Sequence, residues 1–144
     1  MQLTIREAVS DDYSAIHSLI VNELGYPQTD YNKLCARLDL MNADPDLLTA
    51  VAVVEGKVAG FVGLCRGIAY NVDGEYMQVT ALAVLKELQN KGIGSRLIKW
   101  AENFASNNGI HNIVLTSRFH RTEAHAFYES NGYVKKSFGF KKDL

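Results

Sequence analysis

The sequence predicts a mixed α/β fold, and three observations carry that expectation. Segments with strand-like alternation and segments with helical spacing follow one another in the order β, α, α, β, β, β, α, β, α, β. Two β-rich runs are separated only by Glu55-Gly56, which resembles a two-residue hairpin turn because Gly accepts positive φ, so the runs pair antiparallel. The strand from Glu75, a long helix and a strand from His111 form a crossover unit, whose two strands run parallel with a right-handed connection. A chain of 144 residues suits a single domain, residues 1–144, that buries one core without disulfide or metal staples.

Each element has its own local cause. Leu3 to Ala8 alternates apolar and polar residues, as a half-buried strand does. Ser10-Asp11-Asp12 offers a helix cap and an acidic first turn before apolar Tyr13, Ile16, Ile20 and Leu24. A turn at Gly25-Tyr26-Pro27 leads to a second amphipathic helix with Leu34, Leu38 and Met41 on one side, ended by Asp44-Pro45. Thr49 to Val54 and Lys57 to Cys65 are the hairpin strands; Arg66 to Gly74 is a loop, and Glu75 to Val84 the next strand. From Gly92 the apolar residues Ile93, Leu97, Ala101, Phe104 and Ala105 recur at helical spacing until Gly109. His111 to Ser117 reads as a strand, Thr122 to Ser130 as a short helix ended by Gly132, and Tyr133 to Lys142 as one or two final strands. Edges around Thr49 and in those final strands are open to pairing between copies, so a homodimer is an expectation.

Composition narrows the function classes. Hydrophobic residues at 47% and charged ones at 22% describe an ordinary globular chain and exclude a disordered one. Fifteen Lys and Arg against 16 Asp and Glu leave no global basic field, so no nucleic-acid partner is expected and any phosphate contact is local. Cys35 and Cys65 lie far apart, and the N-terminus lacks the apolar run of a signal peptide, so a reducing cytoplasm is the expected compartment. No run approaches the roughly 20 apolar residues of a membrane helix.

The chemistry-bearing stretch runs from Met77 to Leu97. A strand delivers the chain to the turn Gln89-Asn-Lys-Gly92-Ile-Gly94-Ser95, which opens a helix whose first N–H groups and dipole present a phosphate cradle. The two glycines let backbone approach the anion, and Lys86, Lys91, Arg96 and Lys99 make this end locally basic. A P-loop would place Lys before Ser95, and a dinucleotide fingerprint would place a small residue at Leu97; neither fits.

The order Gln89-x-x-Gly92-x-Gly94 after a strand resembles motif A of the GNAT superfamily, the acyl-coenzyme-A-dependent N-acetyltransferases. The stretch Ala124-His-Ala-Phe127-Tyr128-Glu-Ser-Asn-Gly132-Tyr133 resembles its motif B. The resemblance implies a mixed, mostly antiparallel sheet of six to seven strands, with parallel fourth and fifth strands splayed apart and about four flanking helices. It implies acetyl-CoA as co-substrate, its pantetheine arm on the backbone of Leu82, Ala83 and Val84. It places the pyrophosphate on Gln89, Asn90, Lys91, Gly92, Ile93, Gly94 and Ser95, and it makes Tyr128 the proton donor to the departing thiolate. Many family members carry Glu where this chain has Gln78 or Thr80, so Glu75 and Asp73, just upstream, become the candidate bases, against the alternative of two solvated loop acids. Tyr26, Tyr31, Tyr70, Asp73, Glu75 and Phe138 are the candidate acceptor-binding residues. His120 and His125 have no ligand-like spacing, so no metal is expected, while Arg118, His120 and Arg121 precede the Phe-Tyr helix as coenzyme contacts or as solvated charges. The expected activity is acetyl transfer to a primary amine, of a small molecule or a peptide, by direct attack in a ternary complex. The alternative is a non-catalytic acetyl-CoA-binding sensor or partner module.

Overall fold

The computed structural model describes Met1–Leu144 as two compact units, Met1–Val114 and Leu115–Leu144. In the first, five strands form one sheet in sequential order: β1 (Leu3–Glu7), β2 (Leu47–Val54), β3 (Lys57–Ile68), β4 (Glu75–Val84) and β5 (Ile113–Val114). The first four pair antiparallel, and β5 runs parallel to β4. Glu55 and Gly56 both take positive φ, 51° and 79°, as a two-residue hairpin requires.

Helices α1 (Tyr13–Asn22) and α2 (Tyr31–Ala43) cover one sheet face, where Tyr13, Ile16, Leu19, Leu34 and Leu38 bury against Val51, Phe61 and Ala83. Asp30 caps α2 by accepting the Lys33 N–H at 2.9 Å. Helix α3 (Ile93–Asn107) covers the opposite face with Ile93, Leu97, Ala101 and Ala105, buried at the spacing read from the sequence; Ile98 joins them, while Phe104 is only part-buried. Its Leu97 lies 3.3 Å from where a Cβ on Gly60 would stand.

Two irregularities shape the sheet. Ala52 pairs with Gly60 and Val53 with Val58, which leaves Ala59 as an extra residue in β3. Gly63 pairs with Ala81 and Leu64 with Val79, which makes Thr80 a bulge in β4. Gly63 sits beneath that bulge, where a Cβ would come within 2.8 Å of the Thr80 hydroxyl oxygen.

The second unit contains α4 (Thr122–Ser130), with the bounds read from the sequence. Three expectations need correction. The sheet has five strands rather than six to seven, because Tyr133 to Lys142 forms no strand. That segment is exposed beyond Tyr133: its apolar Val134, Phe138 and Phe140 stay in solvent among Lys135, Lys136, Lys141 and Lys142, with no neighbouring strand to pair with. The strand expected over His111 to Ser117 shortens to Ile113–Val114, because its ladder with β4 ends at Gln78 and β-propensity alone does not hold a strand. Thr49 is no edge: it is buried in β2, paired to Gly63 on one side, while its carbonyl accepts the Ala8 N–H at 2.9 Å.

Candidate active site

The site begins where β4 loses its partner. Its ladder with β5 joins only Met77 to Ile113 and Gln78 to Val114, so Val79 to Val84 has no strand along that edge. Which backbone groups face the gap follows from strand alternation. The Leu85 N–H donates to the Ala59 carbonyl at 2.8 Å, so Ala83 and Ala81 also turn toward β3 and Leu82 and Val84 turn toward the gap. At the other end the Met77 N–H faces β5, donating to the Asn112 carbonyl at 2.8 Å. Leu82 lies five positions on from Met77, an odd step that would put them on opposite edges; the extra residue at Thr80 brings both to the same one. Leu82 thus offers an N–H and a carbonyl to the open edge.

The turn after β4 is built to present donors. A short 3₁₀ turn, Lys86–Leu88, takes the Gln89 N–H onto the Lys86 carbonyl at 3.2 Å. Asn90 and Gly92 then adopt φ of 62° and 83°, and Gly92 opens α3 with no side-chain cap. The first bond of the helix runs from the Arg96 N–H to the Gly92 carbonyl at 3.1 Å, so the amides of Ile93, Gly94 and Ser95 precede it. Those amides, with the helix dipole behind them, suit a polyanion such as a pyrophosphate. Open space surrounds the Cβ position of Gly92.

Gln89 has a role the sequence did not reveal. Its side-chain amide donates to the Val84 carbonyl at 3.0 Å and to Glu23 Oε2 at 3.3 Å, bracing the turn against the strand end and the end of α1. With its backbone N–H also engaged, the open amides begin after Gln89.

Glu75 is held by Arg66 in a two-pronged pair, 2.7 Å from Nη2 and 3.1 Å from Nε. The guanidinium hydrogen bond holds its carboxyl below the ordinary carboxylate range. Along β3, Gly60, Leu64 and Arg66 alternate onto the α3 face, and Arg66 pairs with Met77, so Glu75 stands on that face too. The opposite face of β4 carries Tyr76 and Gln78, paired with Gly67 and Cys65, and the Thr80 hydroxyl leaning over Gly63. The position of the Tyr76 ring over Gly67 was not legible in the sequence, although isolated glycines in a strand, Gly63 and Gly67, signal close approach.

The remaining acceptor candidates are scattered. Tyr31 meets the His17 ring edge-on at 5.4 Å, and His17 Nε2 lies 2.7 Å from the Thr29 carbonyl, which orders the α1–α2 connection that holds Tyr26. Asp73 and Tyr70 are exposed in the β3–β4 loop. In the second unit Phe138 packs on Phe119 at 6.1 Å. There too Tyr128 sits between Phe127, at 5.3 Å, and Tyr133, at 6.1 Å, both edge-on. Burial raises the Tyr128 phenol above its ordinary value of 10.0, against a smaller lowering by Arg121. The Tyr133 N–H donates to the Tyr128 carbonyl at 3.0 Å after Gly132 turns at φ 90°. His125 Nε2 lies 2.8 Å from the Arg118 carbonyl. No grouping of His, Cys, Asp or Glu is arranged to hold a metal ion, and no helix is long and apolar enough to cross a membrane.

A parallel pair of strands that ends after two residues beside a bulge, followed by an uncapped helix start, leaves one open strand edge that runs into a turn of unpaired amides. Residues 5–133 match the acetyltransferase (GNAT) family, and the chain belongs to it. It is 29% identical over 140 residues to an aminoalkylphosphonate N-acetyltransferase of Salmonella typhimurium, covering 97% of this chain and 90% of that one. Among solved structures it resembles a GNAT family acetyltransferase of Staphylococcus aureus, at 29% identity and a TM-score of 0.82 over all of both chains. It also resembles a protein described as a transcriptional regulator of Bacillus halodurans, at 25% identity and a TM-score of 0.91, covering 99% of this chain and 100% of that one. The protein is an N-acetyltransferase, and enzymes of this family act on amine acceptors.

Proposed function

We propose that the protein moves an acetyl group from acetyl-CoA directly to the primary amine of a small molecule, with both substrates bound together. The observation that carries this reading is the open edge of β4, ending in a turn whose first helical amides have no cap. Acetyl-CoA, when bound, supplies the activated acetyl thioester. The backbone of Leu82, Ala83 and Val84 lines the pantetheine path, with the Leu82 N–H facing the gap to polarise the thioester carbonyl. The turn from Gln89 through Asn90, Lys91, Gly92, Ile93 and Gly94 to Ser95 receives the pyrophosphate, with the Gln89 side chain bracing it. Tyr128, protonated through the neutral range because burial raises its pKa, donates its proton to the departing thiolate. Orientation and fixed dipoles supply most of the rate.

The proton of the attacking ammonium is the open role. Glu75 would have to leave Arg66 to accept it, and Arg66 also lowers its basicity. We assign deprotonation to water, with Glu75 anchoring the ends of β3 and β4.

The relative of Salmonella typhimurium is named for aminoalkylphosphonates, which makes such a compound the first acceptor to try. The test is thiol release from acetyl-CoA with an aminoalkylphosphonate and a panel of other primary amines, at varied concentrations of both substrates. Intersecting double-reciprocal lines support the ternary complex; parallel lines would replace it with a covalent acetyl-enzyme. Binding of acetyl-CoA without thiol release for any amine would favour the non-catalytic sensor.

A further inference from the structure

We propose that Tyr76 is the specificity residue on the acceptor side, a ring laid across Gly67 whose exposed surface guides the amine toward the open edge of β4. This rests on the reading of that edge as the cofactor site.

The α3 face of β4 is closed: Met77 and Val79 are buried there, and Glu75 is tied to Arg66. An amine therefore reaches the edge from the other face at the Tyr76–Thr80 end of β4, since α1 and α2 cover that face at Ala81 and Ala83; there Tyr76 and Gln78 are part-exposed and Thr80 is exposed. On that face Tyr76 pairs with Gly67, and a Cβ on Gly67 would lie 3.0 Å from Cε1, Cζ and Oη of the ring. The ring thus leans over β3, away from the β5 side, and only a residue without a side chain leaves it that place. Set down there, it keeps the approach to Thr80 and Leu82 clear and offers an aromatic surface to a passing ammonium. Gly63, two pairs further along the same face, gives the Thr80 side chain room in the same way. The two glycines and the two side chains over them form the floor of the approach, and its chemistry, an aromatic ring with neutral amide and hydroxyl groups, fits a compact ammonium.

The experiment compares wild type with Tyr76→Phe, Tyr76→Leu and Gly67→Ala, measuring kcat and KM for a short straight-chain primary amine and for one branched beside its nitrogen. Acetyl-CoA affinity and melting temperature are measured alongside. Tyr76→Phe keeps the ring and leaves KM near wild type, whereas Tyr76→Leu raises the amine KM by about three- to thirtyfold, with the affinity for acetyl-CoA unchanged. Gly67→Ala pushes the ring toward the open edge, so KM rises more for the branched amine than for the straight one. Unchanged amine KM in Tyr76→Leu, or an equal rise for both amines in Gly67→Ala, overturns the assignment while leaving the reading of the cofactor edge intact. If Tyr76→Leu does not fold, the Gly67→Ala comparison decides alone. Failure of the wild type itself to bind acetyl-CoA overturns the underlying reading and this inference with it.

Discussion

Replacing Gly92 by alanine separates backbone strain from anion binding, because the chain contains its own control. Gly92 starts α3 at φ 83° and Gly109 follows its end at φ 72°, and at both a Cβ would meet nothing within 4 Å. Neither substitution clashes, so the folding cost in each is that of holding an L-residue in the left-handed region, about 1–2 kcal/mol. For a chain of this length that lowers Tm by about 3–7 °C in both variants. The two positions differ in what the backbone does. At Gly92 the new methyl enters the open space of the turn, and relaxation of the strained residue re-aims the amides of Ile93, Gly94 and Ser95. Loss of one hydrogen bond to a charged group costs about 1.5–3 kcal/mol, or about 10- to 150-fold in affinity. Titration calorimetry with acetyl-CoA therefore finds Gly92→Ala weakened by that factor and Gly109→Ala at the wild-type affinity, with similar drops in Tm. Equal affinities in the two variants would refute the assignment of the turn.

Other positions give independent checks. Tyr128→Phe lowers kcat by about 10²–10⁴-fold without changing acetyl-CoA affinity, since a general acid acts only in the chemical step. Because burial raises the Tyr128 pKa, wild type keeps this group protonated through the neutral range and loses kcat from it only at a higher pH than an ordinary tyrosine would, and a descending limb in the neutral range would assign the proton to another group. Glu75→Gln, with Arg66 left in place, falls far short of the about 10²–10⁴-fold loss expected for a catalytic base, and a loss in that range in steady-state kinetics would restore Glu75 to that role. Asp12 is buried and accepts hydrogen bonds from Arg6, at 2.7 and 3.0 Å, and from the Val9 N–H at 2.8 Å, which lowers its pKa below the ordinary 3.8. Its stabilising contribution is complete above that ordinary value and fades as pH falls through the lowered one; Asp12→Asn forfeits about 1–3 kcal/mol at neutral pH, read by denaturant unfolding. Gly60→Ala puts a Cβ 2.7 Å from the Ala83 carbonyl, so β3 and β4 must shift apart, and melting and acetyl-CoA affinity fall together.

The fold was legible where its causes are local. Glu55-Gly56 announces its hairpin because a two-residue connection demands positive φ, and the α3 stripe from Ile93 to Ala105 announces its helix because one face must be buried. The same holds for Gly92, whose left-handed backbone opens α3 between the strand and the helix. What escaped was set by partners distant in sequence. The bulge at Thr80 exists only in register with Gly63, and without it Leu82 would turn its N–H toward β3. The Gln89 brace depends on Glu23, 66 residues away, and the restraint on Glu75 depends on Arg66 across the hairpin. The final strands fail for the opposite reason: Val134, Phe138 and Phe140 have strand-like character but remain exposed among lysines, and a strand needs a neighbour to pair with.

The most direct test of the central claim, that one strand edge and one turn together hold the cofactor, is amide-resolved NMR during titration with acetyl-CoA. The account predicts the largest shifts at Leu82 and Val84 and from Asn90 to Ser95, with small shifts at Ala81 and Ala83, whose N–H groups face β3. Shifts confined to other parts of the chain, or equal shifts along all of β4 irrespective of which edge each amide faces, would contradict it.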